Sequence, residues 1–300
     1  MKNKFLLVAA LAAASVVTGA ATSCAPTESN TYRLVIAGMT DTAERRNSID
    51  FTNPYYQSEL VLVVRKSDDL SSDHIYTREE LAVILKDKIL VSQTGTETYR
   101  MLDIFVEEFG AIKANGVNSF TTASIQVTSD KAFGFTAEKP VALSYVNRNP
   151  DDLMVLYIAE DILSADDYAS LSVSIGIKKG CDDFVTQLNT ALDQISNDER
   201  ESIMTTMVDF NLSNNEANDN IRTPITGTKG KIIIGLECDY PSFNWTETEQ
   251  NNYTYPIRGK SKEFAEGYDV EIAIRIAQYL DMTLEIQKME WDSLLVWANK

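Results

Sequence analysis

The residues able to do chemistry are few and widely spread. The chain holds one histidine, His74, and three cysteines, Cys24, Cys181 and Cys238. One histidine and scattered cysteines give no zinc spacing. No Ser-His-Asp arrangement, P-loop or G-x-G-x-x-G turn occurs, so no metal, cofactor or catalytic residue is expected. Charged and aromatic side chains remain. Arg45 stands beside Arg46, and composition alone does not separate a surface ion pair from a ligand contact. Glu138 lies in "AEKPVA" beside Lys139, where an exposed acid is the bland alternative. In "KGKIIIGLECDYPSFNW" (229–245), Glu237, Tyr240, Phe243 and Trp245 follow a short β-branched run. Aromatics in such a loop can cover an alkyl chain or cap a cation. Phe243 is equally well a core residue.

The elements that must position these residues alternate between strand and helix, which implies an α/β fold with mainly parallel sheets. Strands are expected at 32–39, 58–66, 89–95, 152–159 and 171–179, with another opening the 229–245 stretch and one at 283–288. Helices are expected at 78–88, 96–110, 140–149, twice within 182–208, and at 264–280 and 291–300. Thr96 is the expected N-cap of the 96–110 helix and Gly110 its stop. Residues 211–228, rich in Asn, Thr and Gly, read as a linker.

The chain has 300 residues, 44% of them apolar and 24% charged, with net charge −17. That is an ordinary globular composition with room for one large domain or two smaller ones. The acidity argues against nucleic acid or anionic lipid surfaces as partners. The first 24 residues carry two lysines, an apolar run and small residues ending at Cys24, the pattern of a secretion signal. Cys24 in that position resembles a lipoprotein processing site, so a lipid anchor on the outer face of the membrane is expected. Ordinary cleavage nearby is the alternative. The apolar run is short for a permanent span. Cys181 and Cys238 are expected to be buried free thiols, with a bridge between them left open.

The stretch 37–66, with G-M-T-x-T-x-x-R followed by D-F-T-x-P-Y-Y and an apolar strand, resembles the bacterial extracellular solute-binding proteins of family 3. These are the amino-acid receptors of ABC importers, with a two-lobed type II periplasmic-binding fold. "GLECDYPSFNW" and 264–295 resemble the part of that family that normally precedes the G-M-T segment. The resemblance therefore implies permuted order. Residues 31–66 would be the second segment of lobe 1 with the hinge, 67–175 lobe 2, and 176–210 the return to lobe 1. After the linker, 229–300 would be the first segment of lobe 1. A circularly permuted single chain is the favoured reading. A piece of a tandem array, and two chains exchanging halves, stand beside it.

The resemblance also implies the site. Arg45 would grip the α-carboxylate of an amino acid, with Gly38 and Thr40 adding backbone and hydroxyl bonds. Gly95 and Thr96 would present a loop at a helix N-terminus. Glu138 would take the α-ammonium, although Phe133 stands where many relatives carry an Asp. Glu237, Tyr240, Phe243 and Trp245 would meet the ligand side chain. Glu237 and Asp239 add negative charge there, which leans toward a basic ligand. Glu97 stands where many relatives have a hydroxyl, and either faces solvent or adds an anion. The implied partners are an ABC permease and its ATPase. Rival readings are a sensing module for a separate partner, a dehydratase-like enzyme on the same fold, and a non-functional remnant.

Overall fold

A computed structural model of the chain describes residues 30–210 and 220–300. The signal-like segment with Cys24, and residues 211–219 of the expected linker, lie outside the described residues. In chain order the strands are β1 (Thr31–Val35), β2 (Ile49–Gln57), β3 (Leu60–Arg65), β4 (Ile75–Tyr76), β5 (Ile89–Val91), β6 (Ile112–Lys113), β7 (Gly134–Glu138), β8 (Leu153–Ile158), β9 (Ser172–Lys178), β10 (Lys231–Leu236), β11 (Asp239–Tyr240), β12 (Asn244–Glu247), β13 (Tyr255–Pro256), β14 (Phe264–Glu266) and β15 (Thr283–Lys288). The α-helices are α1 (Arg78–Ile84), α2 (Glu97–Arg100), α3 (Leu102–Phe109), α4 (Phe120–Thr128), α5 (Lys139–Arg148), α6 (Ala165–Ala169), α7 (Asp182–Leu192), α8 (Asn197–Phe210), α9 (Tyr268–Leu280) and α10 (Leu294–Ala298).

Both ends of the chain build one sheet, in the order β15-β10-β1-β9-β2. β1 and β10 run parallel from Thr31 opposite Lys231 to Val35 opposite Gly235. β10 runs parallel to β15 on its other side. The apolar run Ile232–Ile234 is buried there, as a central parallel strand requires. The chain leaves for a second sheet, β4-β8-β3-β7-β5-β6, after β2 and returns through β9. Thus β3, grouped by sequence with the hinge segment, pairs in the second sheet, and the first four residues of β9 already belong to the first. A small antiparallel sheet, β11-β12-β14-β13, caps the first lobe.

Parallel pairing sends the C-terminal ends of β1, β10 and β15 to one edge of the first sheet. In the second sheet β5 and β7 are parallel in the same way. Loops leaving such edges are where α/β folds carry ligands.

Local chemistry explains several details. Thr96 accepts from Tyr99 N and caps α2, and Gly110 ends α3 in the left-handed region, both as expected. The stretch 264–280 is not one helix: 264–266 is a strand, and α9 starts after Gly267 at φ 128°. A Cβ on Gly267 would stand 2.4 Å from Phe243 O, so the turn needs glycine. The expected linker is fastened over its last residues. Ile225 N donates to the Tyr255 hydroxyl, Ile225 O accepts from Leu284 N, and Gly227 N donates to Thr283 Oγ1. Cys238 is a free, buried thiol, so no bridge joins it to Cys181. The expectation of a buried free thiol holds for Cys238 alone.

Candidate binding site

The loops at these strand ends converge on a small, partly open void between the two lobes. The first lobe contributes Gly38, Thr40, Arg45, Glu237, Tyr240 and Trp291, and the second contributes Gln93, Thr96, Glu97 and Glu138. Gly38 and Thr40 follow β1, Glu237 and Tyr240 follow β10, Trp291 follows β15, Gln93 follows β5, and Glu138 ends β7.

Arg45 spans the lobes. Its Nη1 donates to Thr40 O at 2.7 Å and its Nη2 to Gly95 O at 2.8 Å. The guanidinium lies 5.5 Å from the Trp291 ring centre, within cation–π range. Two of its five donors are thus engaged by carbonyls, and no other acceptor among the described residues takes the rest. Burial pulls its pKa down, and Glu97, Glu44 and Glu138 pull it back up.

Two carboxylates face the same void. Glu138 is 3% exposed and accepts a hydrogen bond from the Tyr240 hydroxyl. Burial pushes its pKa up, against the Tyr240 bond and the Arg45 charge. Glu237 accepts from Gln93 Nε2 at 2.9 Å. Burial pushes its pKa up to about 7, against that bond and with the help of Asp239, Glu290 and Asp292. A charged carboxylate in so enclosed a place favours a cation beside it.

The sequence-derived candidates divide here. Gly38, Thr40, Arg45, Thr96, Glu138, Glu237 and Tyr240 come together around the void. Gly95 lies just outside, at a wider cleft that it shares with Trp291 and Asp292. The Thr96 hydroxyl donates to Gln93 O at 2.7 Å, so its proton serves the loop. Phe243 and Trp245 do not line the void. Phe243 is fully buried and stacks on Tyr240, with ring centres 5.2 Å apart. Trp245 is 4% exposed and donates to Glu247 Oε1 at 2.7 Å. Packing into the hydrophobic core took both. Glu97 lines the void, but its carboxylate turns to Arg100 Nε at 2.7 Å. Gln93 and Trp291 were missed. Their signal is positional: each lies two or three residues beyond a parallel strand. Among the described residues no group of three or more His, Cys, Asp or Glu could hold a metal ion.

Residues 11–206 match the family model of bacterial extracellular solute-binding proteins, family 3. Two curated relatives are similar over part of their length. "Putative ABC transporter arginine-binding protein 2" of Escherichia coli (strain K12) is 24% identical over 164 residues, 55% of this chain and 60% of the relative. "Probable histidine-binding protein" of Neisseria gonorrhoeae is 24% identical over 165 residues, 54% of this chain and 55% of the relative. The chain therefore spans less than two thirds of either. Among solved structures, an amino acid ABC transporter substrate-binding protein from Streptococcus pneumoniae bound to L-arginine is 21% identical, covering 60% of this chain and 69% of that one, with TM-score 0.49.

Proposed function

The chain belongs to the bacterial extracellular solute-binding proteins of family 3, and from that premise we propose that it captures a basic amino acid between its lobes for an ABC importer. One observation carries this reading: a guanidinium and two buried carboxylates face a single small void between the lobes. An amino acid has the complementary charges. Its carboxylate meets the fork of Arg45, a bidentate geometry that a guanidinium favours. Its ammonium meets Glu138. A basic side chain then lies toward Glu237 and is covered by Trp291 and Tyr240. Closure excludes water and strengthens each contact. The relatives named for arginine and histidine binding support the same class of ligand.

The family is one of solute binders, so no turnover is required of any residue here. The partners proposed are a permease and its ATPase. The lipid anchor is proposed at Cys24, and mass spectrometry of the mature N-terminus tests it: a Cys24 sulfur held in a disulfide excludes the anchor. Among the described residues no helix is long and apolar enough to cross a membrane.

We also propose that the order of segments is a circular permutation of the family's usual order. The sharing of one sheet by β1 and β9 with β10 and β15, strands from opposite ends of the chain, supports it.

Calorimetric titration with the common L-amino acids tests the central reading. Tight binding of lysine, arginine or histidine near one per chain is expected. A folded sample that gives no heat with any amino acid overturns it.

A further inference from the structure

A buried hydrogen-bond chain lies beneath the cleft, outside the void itself. Gly38 N donates to the Tyr55 hydroxyl at 3.2 Å, and that hydroxyl donates to Asp269 Oδ1 at 2.6 Å. Asn244 Nδ2 donates to Asp269 Oδ2 at 2.8 Å, and Asn244 Oδ1 accepts from Cys238 N at 2.7 Å. The direction of every bond is set by its ends, because both are backbone donors. The chain starts on the loop that carries Gly38, Thr40 and Arg45. It ends on the loop that carries Glu237 and Tyr240.

Asp269 is the one group in the middle that accepts from both sides. It is fully buried at the first turn of α9, where the helix dipole favours a negative charge. Its own N–H donates to Phe243 O at 2.8 Å, which ties α9 to the second loop again. Tyr55 comes from β2, in the first half of the chain, whereas Asp269 and Asn244 come from the last part. The link therefore spans the two stretches that jointly build the first lobe.

We infer that Asp269 is a positioning residue: its carboxylate, accepting from Tyr55 and Asn244 at once, holds the Arg45 loop and the Glu237 loop in one fixed relation. The part of this inference that concerns ligand affinity rests on the amino-acid reading of the site. An asparagine at 269 is nearly isosteric, but one of its two heads is a donor. It must face either the Tyr55 or the Asn244 donor, so one half of the link is lost. Titratable groups facing Asp269 are Tyr55, Tyr268, Tyr240 and Cys238. Burial raises all four, Cys238 to about 12, and so they stay neutral at pH 7. Burial also raises Asp269, to about 7. The link thus has a protonation state that changes near neutrality.

The test is amide NMR of the ligand-free protein, followed by calorimetry. In the wild type the Gly38 and Cys238 amide signals should move with pH through one common midpoint. Asp269→Asn should abolish that shared transition, whereas Glu237→Gln and Glu266→Gln, which remove the other buried carboxyls raised to about 7 and about 8, should each leave it. Tyr55→Phe cuts the link on one side only, and should move the Gly38 amide far more than the Cys238 amide. Affinity for the bound amino acid should fall about tenfold in Asp269→Asn, the scale of one lost hydrogen bond to a charged group. Independent midpoints for the two amides, or unchanged affinity in a folded Asp269→Asn, overturn the inference. Failure of the wild type to bind any amino acid overturns the reading of the site instead, and the amide titration still decides the link.

Discussion

The hydroxyl of Tyr240, on the first lobe, donates to Glu138 Oε2, on the second. The Tyr240 ring stacks between Phe243 of its own lobe and Phe120 of the other, with centres 5.2 and 5.4 Å away. Thr121 and Ser144 of the second lobe also bond the same loop, at Asp239 and Ser242. The loop 239–243 is thus seated in the second lobe. The acceptor proposed for the ligand ammonium already holds a partner.

Tyr240→Phe should therefore lower the stability of the ligand-free protein by roughly 1–3 kcal/mol, the cost of a buried acceptor left without its donor. The loss should grow as pH rises. Burial has already raised the Glu138 pKa above its ordinary value, so the folded state prefers the protonated acid and stability declines from the unfolded pKa up to the folded one. Removing the phenol widens that window. Denaturant melts of both proteins at pH 4.5 and 8 check it. An equal loss at both pH values counts against the bond as its cause.

Glu237→Gln should act oppositely on stability and on binding. The Glu237 pKa of about 7 lies above the ordinary carboxylate value. A raised acid lends stability that is fully present below its unfolded pKa and is lost as pH rises through about 7. The span from the ordinary carboxylate value of 4.5 corresponds to roughly 3 kcal/mol. The amide variant lacks this slope and should be the more stable protein at pH 8. Arginine or lysine should bind the wild type more tightly at pH 8 than at pH 6, with proton release near pH 7. Titrations in buffers of different ionisation enthalpy read that proton directly.

Arg45→Lys keeps the charge and loses the fork. It also loses at least one of the bonds to Thr40 O and Gly95 O that join the lobes. Affinity should fall by at least roughly thirtyfold, within the 2–5 kcal/mol typical of truncating a buried charge pair. Melting temperature without ligand should fall as well, because the lost bonds join the two lobes in the ligand-free protein. A variant that binds as well as the wild type removes Arg45 from the site.

Much of this was legible in the sequence because strand ends and turn residues are local. The apolar runs at 58–66 and 231–236, the cap at Thr96 and the stop at Gly110 all follow from patterns a few residues long. Arg45, Glu138 and Glu237 were legible through motif resemblance, not from composition. What could not be read depends on side-chain direction in three dimensions. Phe243 and Trp245 share a loop with Glu237, yet stacking on Tyr240 and the bond to Glu247 turn them away from the void. Trp291 lies far from every other candidate in the chain, and only the parallel placement of β15 beside β10 brings it over Arg45. The nine-residue strand β2 was hidden by Pro54, which has no N–H for the ladder and coincides with a break in register against β9.

The order of segments can be tested by undoing it. A gene encoding 229–300 followed directly by 31–210 places β10 and β15 ahead of β1 while keeping every pairing of the first sheet. It should give a monomer that binds the same amino acid within about threefold of the original chain, because the contacts that set affinity are unchanged by permutation. Light scattering of the original chain at low and high concentration is the companion measurement. A dimer that dissociates only on unfolding would mean that 229–300 pairs with β1 of a second copy, since parallel pairing looks the same within or between chains. A monomeric original whose reordered version fails to fold would count against permutation and would assign the junction at 211–228 a structural role of its own.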